Sequence, residues 1–468
     1  MAVNIPSELI QSLNKMDHFD PVKFLAAHAS ENQIVSVHMN PGKSNHSDKG
    51  WPDEIKDPPF NIIDSVPWCA DSYYLSERPA FTFDPFFHAG LYYVQEASGL
   101  FLAHAIKQIA DVSKNLRVLD LCAAPGGKST LIQSIISAGS LLVSNEVIKT
   151  RVPVLSQNMI KWGNANGIVS NNDPEHFKRL PGFFDIILID APCSGSGLFR
   201  KNPEASGEWN ADLVHLCQLR QQRIVADAWN SLKEDGYLIY STCSYSKEEN
   251  EDVLDSIFQK FPCESVPLYP DLNWNIIETI SRQHRAHGYR FYPYNVSGEG
   301  FFISVIQKKE APASFGAVRS KHSFPKIARR IEQQITPWLN EKSLSFILIG
   351  ETIHAISENL LNDLETLQNN LYLKKAGIRV GKSGEKELIP DHELALANFL
   401  KKDSECIDIS KTDALHFLRG EAFERNIEGR GWRVVSYQNQ RLGWIKLLEK
   451  RFNNYYPKSW RIRKQEIF

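Results

Sequence analysis

Two of the seven cysteines stand where a sheet would present them to a substrate. Cys193 lies in DAPCSGSGLFRKNPEA (190–205) and Cys243 in STCSYSKEENEDVL (241–254), each just past an apolar, strand-like run. In an open parallel sheet the carboxyl ends of the strands form the edge where ligands bind. Both cysteines occupy loops of small polar residues. Cys243 also leads into a helix-like segment, and a helix N-terminus favours the thiolate. A thiolate so placed is a nucleophile for covalent catalysis. Cys69, Cys217, Cys263 and Cys406 read instead as small buried hydrophobes. No two cysteines form a CxxC pair, so neither a disulfide framework nor a zinc site is expected, and no other cluster of metal ligands is visible.

The segment LRVLDLCAAPGGKST (116–130) is a strand, a turn of small residues and a helix start. Cys122, Ala123, Ala124, Pro125, Gly126, Gly127 and Lys128 would expose backbone N–H groups at a helix N-terminus, which suits a nucleotide-like cofactor. Two readings compete. Gly127, Lys128 and Ser129 fit the end of a phosphate-binding GxxxxGK[ST] loop, and FDIILID (184–190) could then supply Asp190 to magnesium. Against this, Cys122 stands at the first glycine position, where the chain must curl round phosphates. Glu146 ends the next strand, where a doubly wound fold places an acid on the ribose hydroxyls of an adenosine cofactor. Asp173, after a third strand, could contact the adenine. Each acid alone is as readily a solvated carboxylate at a loop start; together with the turn they favour the adenosine cofactor.

These residues need elements to hold them. LRVLDLC (116–122), LLVSNE (141–146), FDIILIDA (184–191) and GYLIYSTC (236–243) are separated by helical segments of βαβ length, which implies a parallel sheet covered on both faces. GYRFYP and GFFISVIQK add an antiparallel pair that ends near Lys309. The expected fold class is α/β, with a Rossmann-like core at 105–309. Residues 1–104 form an N-terminal region with short helices and the strand-like IVSVHMNP (34–41). Residues 310–370 read as a linker and a helical segment. Residues 371–468 read as a small α+β module, with strands at GIRVG, WRVVSY and RLGWIKLL and one helix, PDHELALANFLKK.

Composition bounds the function. With 42% hydrophobic and 23% charged residues, the chain can bury a sizeable core. Its longest apolar runs, such as Ile186–Ile189 and Phe346–Ile349, are far too short to cross a bilayer, and no signal peptide opens it. Free thiols fit a reducing cytoplasm. A net charge of −2 excludes a uniformly basic protein, so any contact with nucleic acid needs local positive charge. The tail has it: from Arg441 to Phe468, eight Lys or Arg stand against two Glu, interleaved with Trp444, Phe452, Tyr455, Tyr456 and Trp460. The charge is assigned to RNA, and the aromatics chiefly to a small core.

Taken together, CAAPGGK, NE followed by Arg151, DAPCSGSG with FRKNPEA, and STCS with ENE resemble RNA cytosine-C5 methyltransferases. GLYYVQEAS (90–98), and RFYPY with GEGFFISVIQK (290–308), resemble the segments that bracket that family's core. IPDHELALA, FLRGE and LGWIKLLEKRFNNYYPKSWR resemble the PUA-like tail of its bacterial small-subunit ribosomal RNA methyltransferase F branch. The resemblance implies S-adenosylmethionine as methyl donor and RNA as substrate, in particular small-subunit ribosomal RNA, free or in the subunit. It also implies a cytoplasmic monomer with no metal and no membrane, and an N-terminal region that touches RNA. C5 of cytosine is a poor nucleophile, but attack of a thiolate on C6 makes an enamine-like ring whose C5 can take a methyl group. By the resemblance Cys243 attacks C6, Cys193 aids release of the product, and Asp190 hydrogen-bonds the cytosine edge and touches the cofactor. Transfer RNA as substrate, a phosphate-loop NTPase and a catalytically silent RNA-binding assembly factor are the alternatives. Three positions depart from the family: His38 and Lys161 stand where arginine is usual, and Tyr294 where histidine is frequent. His38 is expected on a solvated strand.

Overall fold

The computed structural model describes residues 4–30, 33–44, 50–312, 324–325, 327–340, 343–384, 387–401, 406–423, 429–449 and 451–464. Its centre is a sheet with five parallel strands: β1 (Arg117–Asp120), β2 (Leu141–Asn145), β3 (Gly167–Ser170), β4 (Phe184–Asp190) and β5 (Leu232–Thr242). β6 (His287–Phe291) and β7 (Phe301–Lys308) pair antiparallel, and β7 lies antiparallel to β5. β8 (Leu373–Ala376), from far down the chain, closes the other side against β3. The order is Ile277–Ile280, β6, β7, β5, β4, β1, β2, β3, β8, ten strands with Cys263–Val266 alongside β7.

Strand residues show why the apolar runs do not alternate with polar ones. Val118, Leu142 and Ile186 enter one buried cluster while their neighbours Leu119, Val143 and Ile187 enter another on the opposite face. Side chains alternate faces with period two, and here both faces are covered. The chain runs outward from β1 through β2 to β3, then returns to the other side of β1 as β4. Such a reversal opens a crevice beyond the carboxyl ends of the strands. The turn after β1 and Asp190 at the end of β4 are both there.

Ahead of the core, helices Ser7–Leu13 and Pro21–Ala29 precede a four-stranded antiparallel sheet ordered Ile62–Ser65, Ser72–Leu75, Val35–Met39, Tyr92–Val94. His38 is not solvated. Its strand is buried throughout, and its ring nitrogens lie 2.9 Å from Ser72 Oγ and 2.9 Å from Ser134 Oγ of helix Gly127–Ile135. The expectation failed because this strand, like those of the core, is covered on both sides. Asn40 adds a clamp, donating to Gly90 O at 2.9 Å and to Trp162 O at 3.0 Å. HMNP therefore fastens the N-terminal sheet to the core. Asn40→Ala should lower the stability to thermal or urea unfolding by about 1–2 kcal/mol, since Gly90 O loses its side-chain donor and Trp162 O keeps only Asn398 Nδ2; an unchanged midpoint would contradict this. Lys161 is also buried, its Nζ 4.3 Å from the Phe87 ring centroid, and burial pulls its pKa down to about 8. Tyr294 accepts from Asp20 N at 3.3 Å and stacks on Tyr292, anchoring helix Pro21–Ala29.

The segment 310–370, expected as linker and helix, holds helices Arg329–Ile335 and Leu361–Asn370 but also the hairpin Leu344–Ile349/Thr352–Ser357. That hairpin joins Ile378–Ser383 and Leu388–Pro390 in a four-stranded sheet. The helix expected from PDHELALANFLKK is cut to His392–Leu396. Beyond it Asn398 N donates to Gly163 O at 2.9 Å and Asn398 Nδ2 to Trp162 O at 3.1 Å, which holds the chain extended against the core. The last sheet is Cys406–Asp408, Gly431–Tyr437, Gln440–Leu447 and Phe452–Asn454. Trp444 and Tyr456 are buried in separate clusters, Phe452 and Trp460 pack against that of Tyr456, and Tyr455 is exposed, so the tail's aromatics are chiefly core. Tyr456 shares its cluster with Val35 and Phe86 of the N-terminal region. Among the described residues no helix is long and apolar enough to cross a membrane.

Candidate active site

β4 and β5 are neighbours with Asp190 opposite Ser241, so the loops leaving their carboxyl ends run side by side. This brings the two cysteines together across fifty residues of chain: Cys193 Sγ lies 3.0 Å from Cys243 Sγ. The glycines of SGSG permit the approach. Gly197 N donates to Cys243 O at 2.8 Å and Gly300 N to Gly197 O at 2.9 Å. A Cβ at Gly197 would sit 2.5 Å from Gly300 O and 2.7 Å from Cys243 O, nearer than any side chain tolerates. The hydrogen bond to Cys243, with burial added, pushes the Cys193 thiol up, so Cys193 keeps its proton at neutral pH.

Lys128 Nζ meets Asp190 Oδ2 at 2.8 Å, and Ser241 Oγ donates to Asp190 Oδ1 at 2.8 Å. Burial pulls the Lys128 pKa down, but Asp190 and the Cys243 sulfur outweigh it and raise the pKa overall. The site thus holds a fixed ammonium, a carboxylate and two sulfurs within one edge of the sheet.

Beside them a cavity of about 420 Å³ is lined by Asp120, Cys122, Ala123, Ala124, Pro125, Gly127, Lys128 and Asp190. Gly126, in the left-handed region at φ 116°, turns the chain into helix Gly127–Ile135. Asp120 and Gln95, which line this cavity, each hold a buried oxygen, Oδ1 and Oε1, with no hydrogen-bond partner among the described residues. Burial raises Asp120 to about 7, although Ser129 Oγ donates to its other oxygen at 2.6 Å. That bond also disposes of the phosphate-loop alternative. The Ser129 hydroxyl, which would have to face magnesium, is sealed in the core. Burial pushes the Cys122 thiol up, so it serves as a neutral wall. Among the described residues no group of three or more His, Cys, Asp or Glu could hold a metal ion.

Glu146 is not among the residues that line this cavity. It is buried, accepts from Ile148 N at 2.8 Å and pairs with Arg151 at 3.3 Å, and Arg151 in turn donates to Ala124 O. Asp173 caps the 3₁₀ turn Pro174–Arg179, accepting from Glu175 N at 3.1 Å, and pairs with Arg223 at 3.4 Å. Ser36, Arg78, Tyr93, Gln95, Glu96 and Lys201 line the same cavity and were not singled out in the sequence. Tyr93, Gln95 and Glu96 sit in GLYYVQEAS and Lys201 in FRKNPEA, where the motif marks the segment but not the residue; nothing local marks Arg78.

The strand order, the turn after β1 and the reactive edge at β4 and β5 define a Rossmann-like methyltransferase. A methyltransferase homologue from Pyrococcus horikoshii shares this architecture, with a TM-score of 0.55 and 26% identity over 65% of this chain and 96% of that one. The chain belongs to the ribosomal RNA small subunit methyltransferase F family: the relative of that name from Psychromonas ingrahamii is 31% identical over 87% of both chains. That from Vibrio atlanticus is 28% identical over 100% of this chain and 99% of its own length. Family models described as 16S rRNA methyltransferase RsmB/F, the N-terminal domain of 16S rRNA methyltransferase RsmF and the methyltransferase RsmF PUA domain match residues 108–307, 5–97 and 404–462. The methyl donor of this class is S-adenosylmethionine, and the cavity fits it: two unpartnered buried acceptors, a helix N-terminus and a small-residue turn suit its amine, carboxylate and ribose.

Proposed function

We propose that the chain methylates C5 of a cytosine in 16S ribosomal RNA. The observation that supports this best is the 3.0 Å pairing of Cys193 and Cys243 beside the Lys128–Asp190 pair, since one nucleophile alone would not call for a second thiol. S-adenosylmethionine supplies an electrophilic methyl group. The Cys243 thiolate adds to C6, and the ring electrons move to C5, which bonds the methyl carbon as its bond to the sulfonium sulfur breaks and a neutral thioether leaves. A base then takes the C5 proton, the C5–C6 double bond re-forms and the thiolate departs. Cys193, whose sulfur lies 3.0 Å from that of Cys243, eases that departure. Asp190, held by Lys128 and Ser241, accepts from the cytosine amino edge, and the base reaches it unstacked.

In this reading Cys122, Ala123, Ala124, Pro125, Gly126, Gly127 and Lys128 cradle the methyl donor. Glu146 is assigned to its ribose and Asp173 to its adenine; neither lines the cavity, so each must turn from its partner, Arg151 or Arg223, to reach the donor. Residues 105–309 form the catalytic domain, 1–104 and 371–468 carry RNA contacts, and 310–370 connects them. The enzyme works in the cytoplasm, where ribosomal subunits are assembled. Purified protein given tritiated S-adenosylmethionine should label free 16S RNA or small subunits, with 5-methylcytosine recovered on digestion to nucleosides. Label confined to transfer RNA or on another base would overturn the substrate, and no label on any RNA would favour a silent binder.

A further inference from the structure

The motif STCSYSKEENE ends in three residues, Glu249, Asn250 and Glu251, that the chemistry above leaves without a task. All three are buried. Asn250 accepts from Thr242 Oγ1 at 2.6 Å and donates to Ser244 O at 2.8 Å. Glu251 pairs with buried Arg290, which donates to Tyr245 O at 2.8 Å. Both therefore hold the loop of Cys243. Glu249 holds two loops. Its Oε1 accepts from Ser194 N at 2.8 Å and Gln221 Nε2 at 3.2 Å, and its Oε2 accepts from Ser194 Oγ at 2.5 Å and Ser244 Oγ at 2.5 Å. Ser194 follows Cys193 and Ser244 follows Cys243, so one carboxyl group is tied to the residue next to each sulfur.

Burial of this carboxyl group is costly, and raises its pKa even though four donors compensate. A position that only filled space would be served by an apolar side chain; a fully satisfied polar network instead specifies geometry. We infer that Glu249 is a positioning residue that sets Cys193 against Cys243 for release of the methylated base, an inference that rests on the cytosine chemistry proposed above. Attack on C6 requires Cys243 alone, which Asn250 and the Glu251–Arg290 pair continue to hold without Glu249. Release requires both sulfurs at one ring. Loss of Glu249 therefore slows release more than attack, and the covalent RNA–Cys243 species builds up.

The test is a single-turnover reaction with 16S RNA and S-adenosylmethionine, read on denaturing gels for adduct and by label for methyl transfer. It compares wild type, Cys193→Ala, Glu249→Ala, Glu249→Gln and the double variant Ser194→Ala, Ser244→Ala. Glu249→Ala and the serine double variant should accumulate adduct, with release slowed by about 10- to 100-fold, the effect of displacing a reacting group by about 1 Å. Glu249→Gln should recover most of the release, because its amide oxygen still accepts from Ser194 N and its NH₂ can donate to hydroxyls that rotate to accept. Should Glu249→Ala fail to fold, the serine double variant, which keeps the carboxyl group, decides the matter. Equal loss of attack and release, or no adduct above wild type, would overturn the inference. If Cys193→Ala also gives no adduct, the release role of Cys193 falls instead; adduct with Cys193→Ala alone removes only the role of Glu249.

Discussion

Cys243→Ala will abolish methyl transfer while leaving the fold intact, with kcat reduced on the order of 10⁴-fold or more, as when other covalent enzymes lose their nucleophile. The size of the effect follows from cytosine itself. Without a sulfur on C6, C5 has too little electron density to attack a methyl group, and Lys128 and Asp190 cannot supply it because neither is a soft nucleophile. Stability should change by less than about 1 kcal/mol, since one partly exposed sulfur is lost and the backbone bond from Gly197 N to Cys243 O remains. Methyl-transfer assays with matched thermal unfolding check both halves. Activity within tenfold of wild type would sink the nucleophile assignment.

Cys193→Ala has the opposite signature. Cys243 still attacks, the methyl group still transfers, and the enzyme stalls with RNA attached. Its sulfur lies 3.0 Å from Cys243 and keeps its proton, so it is the group placed to ease the departing thiolate. Removing it should convert a large share of the enzyme into a species that survives denaturing gels, requires S-adenosylmethionine and disappears on nuclease digestion. Rapid turnover with no retained RNA would show that release runs without this thiol.

The core and its edge were legible from residues alone because the chemistry there is local. Strand runs such as FDIILID end in loops of small polar residues, so Cys193 and Asp190 had to lie at the ligand edge, and the Rossmann-like core follows from the βαβ spacing. The choice between a phosphate loop and a cofactor turn leaned on Cys122 and Glu146; Glu146 is not among the cavity-lining residues, and the structure adds the buried bond from Ser129 to Asp120. What could not be read was non-local. β8 joins the central sheet from residue 373, about two hundred residues after its partner β3. The helix expected from PDHELALANFLKK is shortened by docking on Gly163 and Trp162, which propensity does not encode. His38 looked like a surface residue because nothing in HMNP tells that Ser134 waits on the other side. Glu249 reads as an ordinary acid just before a helix; only the pairing of two loops shows that it joins Ser194 to Ser244.

The measurement closest to the central claim is mass spectrometry of the adduct trapped with Cys193→Ala. After nuclease and protease digestion, the account predicts a methylated cytidine nucleotide attached to the peptide that contains Cys243. A nucleotide on any other residue, or trapped RNA with an unmodified Cys243, would contradict it.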